Sequence, residues 1–435
     1  MVKKQKLKRS KISKKRRNNA ILYPIYKMFS WDLLCFYSIE FLFYTITKSI
    51  NTSQVLLITA AYIIGKMLFQ IPSVALSDYL GKRISMIIGN SILVVYMILL
   101  IVSPNIGWMI IATALSGFGY DIKAISEGNL LYDSVATRGG DGIYTKIDSK
   151  GASAYYVFDT ILSLVAGYMF IINNYLPLYI CLTFLIISLI LSFSFKDIHR
   201  GKKGKTGIDF KNFIQGYSED IKNSFSFIKR SNRMKAYVTF AAVFYGIIKV
   251  MTTYRSDLLT NMQIGEAQFS LIYAVLSLIA AISASFSRQV QKKFKNKTLK
   301  FISLSYILSI IGVGLISIKF TNDIAIPFVL ILCAIMRMAD SQWYVTEYTY
   351  LRNFTTYETR TKITFTFELI VGGIASLISI LGAILVNYLN IRYSIILLGL
   401  LSLALMTVIL DYMKTRFGLK PREYKKEDLK FILNK

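Results

Sequence analysis

Apolar runs of roughly 18 to 23 residues, each long enough to cross a bilayer as a helix, fall at about 31–50, 54–77, 84–103, 107–126, 152–172 and 177–195. A polar stretch follows. Six more runs fall at about 236–256, 268–287, 299–318, 324–345, 363–386 and 391–413. Of these later six, the first and fourth carry charges, which blurs their edges. A spanning segment must satisfy its own backbone hydrogen bonds, so the pattern predicts an all-α integral membrane protein of twelve transmembrane helices.

The polar stretch divides the chain. The expected layout is a basic tail at 1–30, a six-helix half at 31–195, a linker at 196–235, a second six-helix half at 236–413 and a tail at 414–435. Within the linker, Phe210, Phe213, Ile214, Tyr217, Ile221, Phe225 and Ile228 recur at helical spacing. Lys211, Glu219, Asp220 and Lys222 fill the other face. This reads as an amphipathic helix, lying on the inner membrane surface or packed on the protein. The segment from Ile50 to Ile58 aligns with that from Ile264 to Ile272. At the same offset Lys123 falls on Arg337 and Asp133 on Glu347. Three matches at one offset point to two pseudo-symmetric halves.

Charge fixes the orientation. The chain has 52 Lys and Arg against 24 Asp and Glu, a net charge of +28, with a mean hydropathy of +0.48. The cations gather in alternate loops. These are the basic tail, Lys82 and Arg83, Arg138 to Lys150, Lys196 to Lys235, Arg288 to Lys300, Arg352 to Lys362 and the C-terminal tail. The other loops are short and carry few cations. By the positive-inside rule both termini and the linker are cytoplasmic. Cations placed this way serve topology, so nucleic acid is not an expected partner. The tail lacks a cleavage site of small residues after a short apolar core, so it is not read as a cleavable leader. It is suited to docking on anionic lipid.

With one histidine, His199, and with Cys35, Cys181 and Cys333 far apart in apolar runs, no metal constellation and no cofactor site is expected. No convergent nucleophile and base mark an enzyme, and no phosphate-binding loop marks an ATP-driven pump.

The sharpest functional signal is the set of ionisable residues inside the spans: Glu40, Lys66, Asp121, Lys123, Asp159, Lys249, Arg337 and Asp340. Each costs roughly 2.5 to 3.5 kcal/mol at a helix centre, so each should face protein or a water-filled cavity. Arg337 and Asp340 lie three apart and share a helix face. Lys123 and Asp121, two apart, do not, so Lys123 needs a partner elsewhere: Glu40, Asp121 of a shifted turn, or the substrate. Glu40 is the leading proton carrier and Asp121 the second. Each charge reads equally well as half of a structural ion pair. Asp32 and Lys48, near span edges, are expected to cap or snorkel. The aromatics Phe41, Tyr44, Tyr120, Tyr245, Tyr254, Trp343 and Tyr344 suit stacking on an amphipathic substrate or core packing.

Between the second and third runs the chain reads Pro72-Ser73-Val74-Ala75-Leu76-Ser77-Asp78-Tyr79-Leu80-Gly81-Lys82-Arg83. This resembles the loop signature of the major facilitator superfamily. Ser116 to Tyr120 and Ser126 to Ser134 look like the fourth span of its bacterial, drug-exporter-like members, and Thr359-Arg360-Thr361 resembles the equivalent loop of the second half. Val74 stands where the family has Gly. The fourth span lacks the arginine common in proton-coupled exporters, and the fifth lacks the antiporter Gly/Pro motif.

The resemblance implies a secondary transporter in a bacterial cell membrane, a monomer working by alternating access. The spans holding most of the charges, one, four, seven and ten, would line its cavity, with Glu40, Tyr44, Tyr120, Asp121, Lys123, Lys249, Arg337, Asp340, Trp343 and Tyr344 around the substrate. It makes Asp78, Gly81, Lys82, Arg83 and Arg360 the cytoplasmic gate. The expected activity is proton-coupled efflux of a small amphipathic molecule. Proton-coupled import of a charged nutrient, or a non-transporting sensor or scaffold on the same fold, stay open.

Overall fold

The computed structural model describes residues 2–135, 141–198, 210–294, 297–354 and 360–414. In chain order the helices are α1 (Val2–Ser30), α2 (Glu40–Leu42), a π-helix (Phe43–Thr47), α3 (Thr52–Leu80), α4 (Lys82–Val102), α5 (Ile106–Val135), α6 (Asp141–Ile172), α7 (Leu176–Ser194) and α8 (Phe210–Arg230). They continue with α9 (Asn232–Asn261), α10 (Glu266–Ser285), α11 (Ser287–Phe294), α12 (Thr298–Lys319), α13 (Asn322–Phe354), α14 (Arg360–Tyr388) and α15 (Ile391–Lys414). Among the described residues, ten helices are long and apolar enough to cross a membrane. The two remaining expected spans are a broken first span and α5, whose Asp121, Lys123, Glu127 and Asp133 lower its hydropathy.

The chain forms two compact units. Unit 1 is Met1–Lys48 with Ala61–Ser218, and unit 2 is Ser49–Ala60 with Glu219–Lys435. The first turns of α3 therefore group with unit 2 while the rest of the helix belongs to unit 1. The division falls inside α8, the helix that the amphipathic pattern predicts. There Ser224 and Ile228 are buried and Phe225 is exposed. The side chains of Phe210, Phe213, Ile214, Tyr217 and Ile221 lie outside the described ones, as do Arg138, His199 and the tail beyond Lys414.

The first span departs from the expected single helix over 31–50. Helix α1 runs to Ser30, and Asn19, Tyr23, Tyr26 and Lys27, expected in the tail, are buried in unit 1. Tyr23 and Tyr26 pack with Met86, Leu130, Leu131, Val135 and Phe195. From Trp31 to Ile39 the chain is irregular, and Cys35 takes a φ of 69°. Asp32 is one local cause, since its Oδ1 accepts the Leu33 N–H at 3.0 Å and so competes with helix continuation. Leu33, Leu34, Cys35 and Phe36 are buried. Non-helical backbone at membrane depth survives only where protein encloses it. The span then resumes through Glu40 and the π-helix.

Two glycines shape unit 1. Gly81 has a φ of 97°, which lets α3 end and α4 begin across a single residue. Gly117 of α5 lies against the α3 backbone: a Cβ there would meet Lys66 N at 2.5 Å and Tyr62 O at 2.8 Å. Small residues bring membrane helices into backbone contact in this way. Gly117→Val is expected to cost about 1–3 kcal/mol through overpacking, read as a lower melting midpoint of the purified protein. An unchanged midpoint would refute this contact. Cys35, Cys181 and Cys333 are buried free thiols.

Candidate functional site

In unit 1 the polar side chains converge where the first span breaks. Tyr120 of α5 donates its hydroxyl to Asp32 Oδ1 at 2.7 Å, and Tyr37 donates to the same oxygen at 2.8 Å. Asp32 is thus a shared acceptor that orients two tyrosines, a larger role than its position near a span edge suggests. Lys123 is buried and its Nζ donates to the Ser30 carbonyl, one of the groups a helix end leaves unsatisfied. A cation there also meets the negative end of the α1 dipole. Its ammonium lies 4.7 Å from the Tyr120 ring centroid. The partner Lys123 needs is therefore a backbone carbonyl and an aromatic face, rather than Glu40 or Asp121.

Asp121 points to a different neighbour. Lys66 of α3 approaches its Oδ1 to 3.8 Å, and the lysine is exposed while the aspartate is buried. Glu40, half-buried at the start of α2, lies in electrostatic range of Tyr37, Tyr44 and Tyr96. Tyr44 is fully enclosed, with Phe36 and Phe43 against its ring. It is a packing residue, not a surface a substrate reaches in this structure.

A second layer lies nearer the N-terminal end of α1. Lys27 pairs with Asp148 of α6 and stands 3.9 Å from the Trp31 ring centroid. Tyr23 donates to Asp148 Oδ1 at 3.2 Å. Glu127 is buried on α5, four residues after Lys123. Sequence reading passed over Lys27, Asp148 and Glu127. The i,i+4 spacing of Lys123 and Glu127 was the available signal for the last.

The loop residues are held inside unit 1. Lys82 and Asp133 are 2.5 Å apart. Arg83 donates its backbone N–H to Asp197 Oδ1 at 2.9 Å and a guanidinium N–H to Phe193 O at 2.8 Å. The sequence places Lys82 and Arg83 beside the C-terminus of the second span. In the structure they begin α4, where the dipole disfavours cations, and Asp133 and Asp197 supply the offsetting negative charge. Asp78 lies in the last turn of α3 and Arg360 begins α14; the side chains of both lie outside the described ones.

In unit 2, Arg337 Nη1 and Asp340 Oδ2 of α13 are 2.5 Å apart, the pair their spacing suggests. Tyr306 of α12 lies in electrostatic range of both. Lys249 of α9 is 5.2 Å from the Tyr245 ring centroid and in range of Tyr344. Tyr344 is 43% exposed, whereas Trp343 is 0% exposed. The indole packs against Tyr237, Phe240 and Phe244, so Trp343 builds the core of unit 2 rather than a cavity wall. Tyr254 is buried and donates to Gly382 O at 2.6 Å.

The family model described as Major Facilitator Superfamily matches residues 28–370. No curated protein matches the chain. Among solved structures, the nucleoside transporter NupG superposes with a TM-score of 0.72 at 10% identity, over 91% of this chain and 99% of that one. A POT family transporter in complex with 5-aminolevulinic acid gives 0.65 at 13% identity, covering 92% and 94%. A D-xylose-proton symporter gives 0.63 at 12% identity, covering 90% and 96%. Identities this low carry the fold and nothing finer.

Proposed function

The chain belongs to the major facilitator superfamily and is a multi-pass membrane transporter rather than an enzyme, and from that premise we propose that it exchanges protons for a small amphipathic molecule leaving the cell. The observation that carries this reading is the set of carboxylates held at the broken first span and on α5. Asp121 is buried beside an exposed lysine, and Glu40 is half-buried among tyrosines. Carboxyls so placed gain and lose protons as their surroundings change. Glu40 and Asp121 are the proposed proton carriers. Tyr120, Lys123, Lys249, Arg337, Asp340 and Tyr344 are the proposed substrate-facing set, with Tyr44 and Trp343 as packing behind them. The Asp78, Gly81, Lys82, Arg83 and Arg360 set is the proposed cytoplasmic gate. The basic N-terminal segment is proposed to rest on anionic lipid, and the working form to be a monomer in a bacterial cell membrane.

A second reading is proton-coupled import of a charged nutrient. The mixture of Lys66, Asp121, Arg337 and Asp340 within the spans favours it, and a D-xylose-proton symporter shares the fold.

Transport of a panel of cationic dyes and antibiotics into inside-out vesicles with an acidic lumen tests the proposal. The wild type is expected to accelerate at least about tenfold when the gradient is imposed, and Glu40→Gln to lose that acceleration. Wild-type behaviour of Glu40→Gln would remove Glu40 from the coupling machinery.

A further inference from the structure

Three helices of unit 1 are tied by one line of buried hydrogen bonds that leads toward a fourth. Ser188 of α7 donates to Asn90 Oδ1 at 2.7 Å. Asn90 of α4 donates through Nδ2 to the Tyr26 hydroxyl at 2.9 Å. Beyond Tyr26 of α1 lies the carboxylate of Glu127 on α5, in electrostatic range of its hydroxyl. Glu127 is 8% exposed, and its Oε2 has no hydrogen-bond partner among the described residues. A buried carboxylate oxygen left unmatched costs about 1–3 kcal/mol or more, and a proton on the group lowers that cost by removing its charge.

The charged and titratable groups around Glu127 come from three elements. Lys123 is on its own helix, Lys27, Tyr26 and Tyr23 are on α1, and Asp148 and Tyr144 are on α6. Lys27 is engaged by Asp148 and Lys123 by the Ser30 carbonyl, so neither ammonium is committed to Glu127 alone. Burial favours the neutral acid and the two ammonium groups favour the carboxylate, which leaves two opposed influences of similar kind on one group. Tyr144, ahead of the apolar part of α6, has its phenol pushed up to about 12 by burial and then by Asp148 and Glu127, so it stays a neutral hydroxyl. Asp148 is 27% exposed at the side chain. With the half-buried Tyr144 it is where the group meets water, in the first turns of α6.

We infer that Glu127 is a proton-binding station inside unit 1, loaded and unloaded through the cytoplasmic edge marked by Asp148. A hydronium ion on that side gives up one O–H bond and becomes water, while the carboxylate gains one and becomes the acid; unloading reverses both changes. Within the proposed function, on which this last step rests, Glu127 is an inner station additional to Glu40 and Asp121.

Infrared titration of the full-length protein in phosphatidylcholine liposomes reads the protonated carboxyl directly and needs no substrate. The wild type is expected to show a carboxyl signal that grows as pH falls, and Glu127→Gln to lack one component of it while those of Glu40 and Asp121 remain. In Glu127→Asp the midpoint should shift. Asp148→Asn should slow deuterium exchange of the signal by about tenfold, since the edge group is lost. The same signal in Glu127→Gln, or none in the wild type, overturns the inference. Should Glu127→Gln fail to give monodisperse protein, an unchanged midpoint in Glu127→Asp overturns it instead. In the same liposomes, Glu127→Gln should lose gradient-driven dye transport while dye counterflow stays within about twofold of wild type. A wild type that moves dye without protons would refute the coupled-transport reading and leave the infrared result for Glu127 standing by itself.

Discussion

Asp340→Ala is expected to be the most destabilising single change in unit 2. It strands the Arg337 guanidinium, whose only ion-pair partner among the described residues is that carboxylate, at 2.5 Å. Removing one member of a buried pair costs about 3–5 kcal/mol. The Arg337 side chain is 28% exposed, so solvent screening brings the expected cost to roughly 2 kcal/mol. Replacing both residues, Arg337→Met with Asp340→Leu, removes the stranded charge and should recover most of the melting midpoint. Transport separates the two readings of the pair. If the pair only holds α13 in place, the double variant transports normally. If it faces substrate, the double variant folds and does not transport, which is the outcome expected here. A single Asp340→Ala variant that melts like wild type would refute the paired geometry.

Asp32→Ala should have the largest effect in unit 1. It orphans the Tyr37 and Tyr120 hydroxyls and frees the Leu33 N–H. At about 1–3 kcal/mol for each unmatched group, a net loss of roughly 3 kcal/mol shifts the equilibrium between the ordered and disordered break more than about a hundredfold. Dye transport by Asp32→Ala should then fall to background while the protein still reaches the membrane. Asp32→Asn keeps an acceptor oxygen for both tyrosines and should retain the fold. If Asp32→Ala transports at the wild-type rate, Asp32 does not organise the break.

The spans were legible because a bilayer imposes length and hydropathy on every one of them, and the polar stretch after the sixth run marked the region where the chain divides into two units. The Arg337 and Asp340 pair was legible because three residues make nearly a full helical turn. The break after Ser30 was not. Residues 31–50 are apolar enough to read as a continuous helix, and the Cys35 backbone at a φ of 69° depends on enclosure by other elements, which no local pattern records. The same limit hid one partner of Lys123: the Ser30 carbonyl at the end of α1 becomes its neighbour only when α1 packs on α5, whereas the Tyr120 ring, three residues back on the same helix, was within reach of the spacing rule. Asp32 looked like an edge residue because its two hydroxyl partners come from Tyr37 and from Tyr120, the latter 88 positions away. Trp343 and Tyr344 are adjacent in sequence and opposite in setting, one enclosed and one exposed; that distinction lives in the packing of α13 against α9.

Lumen pH in inside-out vesicles tests the central claim most directly. With an acidic lumen and a transported dye or antibiotic added outside, proton exchange for an exported molecule predicts that the lumen turns more alkaline as the molecule enters. Further acidification would establish symport and reverse the proposed direction of coupling. Movement of the molecule with no change in lumen pH would contradict proton coupling altogether.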